Sequence, residues 1–410
     1  MTVQNIINNG LCLGCGICSH DSTIKGMKYS TSKGMNIPIL EKGKDYKVAD
    51  QICPANGYSI IEDAKSLYSG NKYSVDLGYF NKLFAAHSVD NEILERASSG
   101  GVMTEILIFL LKNNIVDKVA VTKFIYTENG PTTLTFLTNK IDEILSSQGS
   151  KYCPVDVSNA IQELKNENCR IAYLGTPCQI AGIRQIQKID PELKSKIVLT
   201  IANFCGGFKS FKQINKISSR HNIDFKNITY LRYRGGGQPG GMVIDDKHGH
   251  HFEASYKKYG GFTGYSKHLR CHLCVDATGE LADISLGDAW LDKYLNDTFP
   301  WSIILTRTKK ATSIVENMAI NKKIVFECLT VEQVCLSQKQ NLNTKKVRQF
   351  SRIRLYKMLG YKLPVFDGGF YSNPTPMKTE LKVYLTHKIK ELIENIGLYK
   401  YFRLLIKKEF

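Results

Sequence analysis

Four cysteines set the first chemical constraint. Cys12-Leu-Gly-Cys15-Gly-Ile-Cys18 places three thiols at Cys-x2-Cys-x2-Cys spacing, and a fourth stands far along the chain in Cys53-Pro54. Three cysteines so spaced can put their sulfurs on one tight turn, and Gly14 and Gly16 let backbone N–H groups approach a cluster closely. Cys-Pro is the usual close of a ferredoxin ligand run. Together they read as the ligands of one 4Fe–4S cluster, with a structural zinc site as the alternative.

The missing cysteines sharpen that reading. In a two-cluster ferredoxin the fourth cysteine of each run serves the other cluster. Here the fourth position of the first run is Ser22, and the three positions that should precede Cys53 are Ala49, Tyr46 and Gly43. One ligand set is whole and the other is entirely gone. A second group comes later: Cys178, Cys205 and the pair in Cys271-His-Leu-Cys274. Four is the number a second 4Fe–4S cluster needs, and zinc is again the rival. Cys153, Cys169, Cys328 and Cys335 are expected to be small buried apolar residues.

Other stretches invite anions. Ala97-Ser98-Ser99-Gly100-Gly101 precedes the apolar run Val102–Leu111, which predicts a buried helix whose free N–H groups face either a phosphate or an ordinary cap. Lys151, in Ser147-Gln-Gly-Ser-Lys151-Tyr152, is either an anion contact or a solvated lysine. Tyr230–Arg234 and Met242–Asp245 flank a loop with five glycines, a hairpin on composition alone.

These groups need a scaffold. Asp117–Thr122, Thr133–Leu137, Arg170–Gly175 and Lys196–Ala202 read as strands, and a helix is expected from Ile180. Alternating strands and helices predict an α/β domain with a mainly parallel sheet, whose ligands gather beyond the carboxyl ends of the strands. Cys178 and Cys205 both stand there, so they are expected to converge. The chain divides into a small ferredoxin-like α+β module (1–62), a linker (63–85), the α/β domain (86–344) and a basic helical tail (345–410).

The 410 residues carry a net charge of +17, and the stretch from Asn341 to Phe410 has 15 Lys+Arg against 5 Asp+Glu. The excess belongs to the tail, away from the cysteines, so nucleic acid is not an expected partner. Twelve cysteines and a start, MTVQNIINNG, without signal-peptide features point to a reducing, cytoplasmic setting with metal ligation in place of disulfides. In the tail, Leu381, Leu385, Ile389, Leu392 and Ile396 trace a helical stripe ended by Gly397, and Leu398–Lys408 is a second basic amphipathic stretch. It reads either as a helical hairpin packed on its own domain or as peripheral contact with an anionic membrane or acidic partner.

In this order the motifs resemble the coenzyme F420 hydrogenase/dehydrogenase β-subunit family. The resemblance runs over roughly residues 5–340, through Ala97–Gly101, Gly175-Thr-Pro-Cys-Gln179, Phe204-Cys-Gly206, Pro239-Gly-Gly241, and Cys271-x2-Cys274 leading to Ala282–Trp290. It implies an FAD-dependent iron–sulfur oxidoreductase. Cys178, Cys205, Cys271 and Cys274 then hold a second cluster beside the flavin. Ser98, Ser99, Gly100, Gly101, Lys151, Thr176 and Gln179 are the implied FAD contacts, and Lys151 the proton source. The electron donor is a ferredoxin-like protein or F420, although no residue specifies a deazaflavin. The acceptor is a small organic molecule or a glycan precursor, since some relatives sit in surface-polysaccharide pathways. A flavin suits the scheme because clusters move single electrons and hydride chemistry moves pairs. Two rivals stand beside it: a non-catalytic electron-transfer subunit, and more remotely a zinc-dependent nucleic-acid-binding protein.

Overall fold

The computed structural model describes residues 1–237, 239–256 and 267–395. The chain opens with a short helix, Val3–Asn8, and a turn of 3-10 helix, Ile17–His20, that carries Cys18. An antiparallel hairpin of β1 (Met27–Ser30) and β2 (Met35–Pro38) follows, then the helix Lys47–Ile52, which delivers Cys53 at its end. The two-residue strand β3 (Gly57–Tyr58) leads into the helix Ile60–Tyr68.

The stretch expected to be a linker is ordered structure. The helix runs on to Tyr68, and β4 (Lys72–Ser74) pairs with β5 (Gly78–Phe80) before the main sheet begins. Its sequence looked aperiodic for a physical reason. The helix buries Ile60, Ala64 and Tyr68 along one narrow line, with the polar Asp63 buried beside them, and three-residue strands are too short to show alternation.

Eight strands build the main sheet: β6 (Lys82–Ser88), β7 (Lys118–Thr127), β8 (Gly130–Thr138), β9 (Ile171–Gly175), β10 (Ile197–Asn203), and, beyond a separate antiparallel sheet of β11 (Ile228–Arg232), β12 (Gly241–Asp246) and β13 (His251–Ser255), β14 (Ile284–Asp288), β15 (Ser302–Thr306) and β16 (Ile324–Cys328). The order is β16-β6-β15-β14-β10-β9-β7-β8. The centre, β7-β9-β10-β14, is parallel, and antiparallel strands extend it on both sides. Parallel neighbours need crossovers, and helices supply them.

Helices cover both faces. Val102–Lys112 and Lys309–Ile320 pack Ile106, Leu110, Ile314 and Met318 against Val119, Ile201 and Ile304. Ser158–Asn166 and Pro177–Ile189 pack Ile161, Leu164, Ile180 and Ile183 on the opposite face, together with Ile17, Ile52 and Ile60 of the first module. Gly182 is part of that joint. A side chain there would meet Ile17 at 2.9 Å, so glycine lets the cysteine turn seat on the helix.

The last stretch returns across the molecule. Gln349–Met358 is helical, β17 (Val365–Phe366) pairs in parallel with β3, and a helix runs Met377–Asn395. Lys345, Lys346 and Arg352 are buried, and Glu380 holds Arg348 and Arg352. On the final helix Tyr384 meets Tyr356 and Tyr361 while Leu381, Leu385, Ile389 and Leu392 stay exposed. The predicted apolar stripe is therefore present on the described helix and turned to solvent. Ile396, Gly397 and Leu398–Lys408 lie outside the described residues. No described helix is long and apolar enough to cross a membrane.

Candidate functional site

Two groups of four thiols lie side by side, and five separated segments build them. Cys12, Cys15 and Cys18 come from the first turn, where Gly14 and Gly16 take left-handed φ of 63° and 76°. A side chain on Gly16 would strike Asp156 and Ser158, so the turn presses against the main domain; Val157 N–H donates to Cys15 O at 2.9 Å. Cys53 feels Cys12 electrostatically, and Cys15 and Cys18 both feel Cys53.

The second group forms at the carboxyl ends of the parallel strands. Register brings the ends of β9, β10 and β14 level, Ala202 lying beside Gly175 and Ser285. Cys178 follows β9 on the first turn of its helix, and Cys205 follows β10, held by its N–H on Ala277 O at 2.9 Å. Cys271 and Cys274 arrive on the short helix Leu269–His272 and the turn after it. Cys178 feels Cys205 and Cys274, and Cys271 feels Cys205 and Cys178. Cys15 also feels the charge of Cys178, which makes the two groups neighbours.

Burial dominates their chemistry. It pushes Cys53 and Cys271 up to about 12 and Cys178 up to about 11. Cys274 is the exception. Burial raises it too, but Lys345 and Arg270 outweigh that and leave it below the ordinary thiol value. Among the described residues no three His, Cys, Asp or Glu side chains close on a single metal ion.

The donor sets fit a 4Fe–4S core on two counts. Tyr173, fully buried on β9 and sensing Cys15, has a hydroxyl with no hydrogen-bond partner among the described residues. A cluster sulfur would satisfy it. Lys345, also buried, donates to Cys274 Sγ at 3.6 Å and to Asp276 O at 2.6 Å. A buried ammonium bonded to a thiol and a carbonyl needs negative charge nearby; Asp276 provides some, and metal-bound thiolates would provide more.

The residues expected at a flavin fall into two places. Ser98–Gly101 forms the turn before the helix Val102–Lys112. Ser98 Oγ accepts from Ser150 N–H at 3.1 Å, and Ser99 Oγ meets Ser302 Oγ at 2.9 Å. Gly100 is needed for packing, since a side chain would strike Ala86 O and Ser302 N. Lys151 lies on the adjoining loop. Its Nζ donates to the carbonyls of Ser147 (2.6 Å), Gln148 (3.3 Å) and Gly149 (3.0 Å), and burial lowers it to about 8. Thr176 and Gln179 lie apart from these, forming a capping box at the start of the Pro177–Ile189 helix. Gln179 Nε2 reaches Val155 O at 3.1 Å, and Thr176 Oγ1 lies 3.2 Å from Cys178 Sγ. The segment from Ser150 to Val157 runs between the two places and on to Cys15.

Sequence reasoning missed the residue that gathers the first place. Arg234, buried, donates to Ser98 O (2.6 Å), Pro239 O (2.9 Å), Tyr152 Oη (3.2 Å) and Asp288 (2.6 Å), and lies over the rings of Tyr256 and Trp290. It ties the turn before the helix, the glycine-rich loop and the end of β14 into one unit. One signal was available: Arg234 directly precedes the glycine run.

Of the four remaining cysteines, Cys153 is buried, but Cys169 and Cys335 are only partly covered and Cys328 is exposed. Cys328 ends β16, the edge strand, and is exposed although alternation puts it on the face of buried Ile324.

Comparison with known proteins now bears on this geometry. The family described as coenzyme F420 hydrogenase/dehydrogenase, beta subunit, matches through its N-terminal part at residues 83–162 and its C-terminal part at 168–332. The chain belongs to this family. Membership gives the F420 hydrogenase/dehydrogenase β-subunit-like chain an oxidoreductase, electron-transfer role. Similar proteins include the coenzyme F420 hydrogenase subunit beta of Methanococcus voltae, 26% identical over 70% of this chain and 99% of that one. The F420-dependent formate dehydrogenase subunit beta of Methanocaldococcus jannaschii is 25% identical over 58% of this chain and 59% of its own. Among solved structures, a chain of the F420-reducing [NiFe] hydrogenase complex from Methanosarcina barkeri aligns with a TM-score of 0.55 at 20% identity, covering 71% of this chain and 98% of that one. That likeness shows a shared fold.

Proposed function

We propose that the chain is an iron–sulfur flavoprotein that passes electrons between a ferredoxin-type donor or F420 and an organic acceptor, a glycan precursor among the candidates. One 4Fe–4S cluster would be held by Cys12, Cys15, Cys18 and Cys53, a second by Cys178, Cys205, Cys271 and Cys274. FAD would be held by the Ser98–Gly101 turn with Lys151, Thr176 and Gln179. The observation that carries this reading is the meeting of two all-sulfur sets from five segments, with buried cations against them. When bound, the clusters supply one-electron transfer and the flavin links it to hydride transfer.

The chain's own residues have separate tasks. Lys345 offsets negative charge at the second set, and Tyr173 offers a hydrogen bond at the first. Apolar Leu11, Leu13, Ala55 and Leu273 pack around the thiols and exclude water. Arg234 orients the Ser98 turn. Lys151, lowered to about 8, keeps a proton on Nζ at neutral pH close to the value at which proton donors work best.

Anaerobic purification and analysis test the reading. About eight irons and one flavin per chain are expected; about four irons with no flavin would defeat it. A second reading, an electron-transfer subunit that leaves chemistry to a partner, is favoured because the relatives are named as subunits. It predicts that the isolated chain reduces dyes but no organic acceptor.

A further inference from the structure

Arg270 occupies a place that neither the sequence motifs nor the family comparison assigns. It directly precedes Cys271, is 1% exposed, and belongs to the loop of the second thiol set. Its guanidinium leaves that loop. Nη2 donates to Pro54 O at 2.7 Å and Nε to Ala55 O at 2.9 Å, so it grips the two residues after Cys53. The same group bonds Cys274 and lies over the Phe366 ring at 4.9 Å. Its charge is felt at Cys53 in one set and at Cys178 and Cys274 in the other.

A buried guanidinium calls for a counter-charge. Among the described residues no carboxylate pairs with Arg270; it bonds two carbonyls and a thiol. The sulfurs that feel its charge are Cys274 and Cys178 of the second set and Cys53 of the first, so under the two-cluster reading the counter-charge would lie on both sides. Lys345 differs, because the sulfurs around it are Cys274, Cys205 and Cys271, all of the second set.

We infer that Arg270 is a shared positioning residue for both redox centres: one fixed positive charge, bonded to both ligand loops, that favours the reduced state of each centre together. The inference rests on the two-cluster reading. Adding an electron makes a centre more negative, so a nearby cation stabilises the reduced form and raises the potential. The loops are also joined by a short route, from Cys53 through the Pro54 carbonyl to the guanidinium and along Arg270 to Cys271. Holding both loops with one planar fork keeps the centres at a set separation.

The test is a dithionite titration of the anaerobically purified full chain, followed by electron paramagnetic resonance, with iron counted on each sample. In Arg270→Gln, both one-electron potentials should fall by at least a tenfold change in equilibrium constant, about 59 mV. Lys345→Gln should lower one potential alone, which also identifies the second centre. Arg270→Lys, which keeps the charge, should leave both potentials within about threefold of wild type. An Arg270→Gln protein with a full iron content and only one potential moved, or none, overturns the inference and leaves the two-cluster reading standing. If Arg270→Gln fails to take up iron, Arg270→Lys decides: full iron with either potential lowered tenfold overturns it. A wild-type chain without two one-electron signals removes the two-cluster reading itself, and the inference with it.

Discussion

Replacing Arg234 with methionine should loosen the flavin-side half of the site. Methionine keeps much of the volume and packing but removes the charge and every donor. The bond to Asp288 at 2.6 Å disappears, and the carbonyls of Ser98 and Pro239 lose their donor. Breaking a buried ion pair from one side costs about 3–5 kcal/mol. Asp288 keeps 21% side-chain exposure, so water recovers part of that, and the lower end, about 3 kcal/mol, is expected. In a chain of this size each kcal/mol moves the melting temperature by about 1.2 °C, which gives about 3.5 °C for about 3 kcal/mol. Circular dichroism melting of the anaerobically purified chain reads it. Arg234→Lys should recover less than half, because a point-charge ammonium cannot serve a spread of acceptors as a planar fork does. The double variant Arg234→Met/Asp288→Asn should be more stable than the sum of the two single losses, since the stranded carboxylate is gone. Melting of Arg234→Met within about 1 °C of wild type would refute the view that this arginine organises the turn, the glycine loop and the end of β14.

Three further outcomes follow from the same structure. Cys18→Ala and Cys205→Ala should each lose about four irons and keep about four; loss of all eight in both would mean one shared centre. Glu280, wholly buried, is pushed up to about 7 by burial against the opposing pull of Lys346. Its value in the unfolded chain is about 4.3, so between those two values the folded state holds the extra proton and stability falls as pH rises. The stability lost in Glu280→Gln should therefore shrink by about 3 kcal/mol from pH 5 to pH 8 in denaturant titrations, and a loss independent of pH would contradict it. Gly57 has φ +96°, and a side chain there would collide with the Val365 backbone. Gly57→Ala should cost at least about 2 kcal/mol and speed proteolysis near β17; unchanged cleavage would show that the β3–β17 pairing does not hold that segment.

The sequence revealed elements with strong local patterns and concealed those built by distant partners. The Val102–Leu111 run and the strands at Arg170 and Lys196 carried enough periodicity to be placed, and the sites of Cys178 and Cys205 followed from the rule for parallel sheets. Arg234, Arg270 and Lys345 looked like any surface cation, because a charged side chain reveals burial only through its partners. Those partners lie 54 residues from Arg234 at Asp288, 216 from Arg270 at Pro54, and 71 from Lys345 at Cys274. The positive excess after Asn341 was likewise read as a tail, although Lys345, Lys346 and Arg352 within it are buried.

The return of the chain from Lys345 to β17 bears on how the protein is made. Lys345 reaches Cys274, and β17 closes on the strand that follows Cys53 and Pro54. Neither contact exists until the ribosome has released most of the polypeptide. A nascent chain thus presents its cysteines before Lys345 and the covering strand arrive, and those thiols stay open to solvent until synthesis is nearly finished.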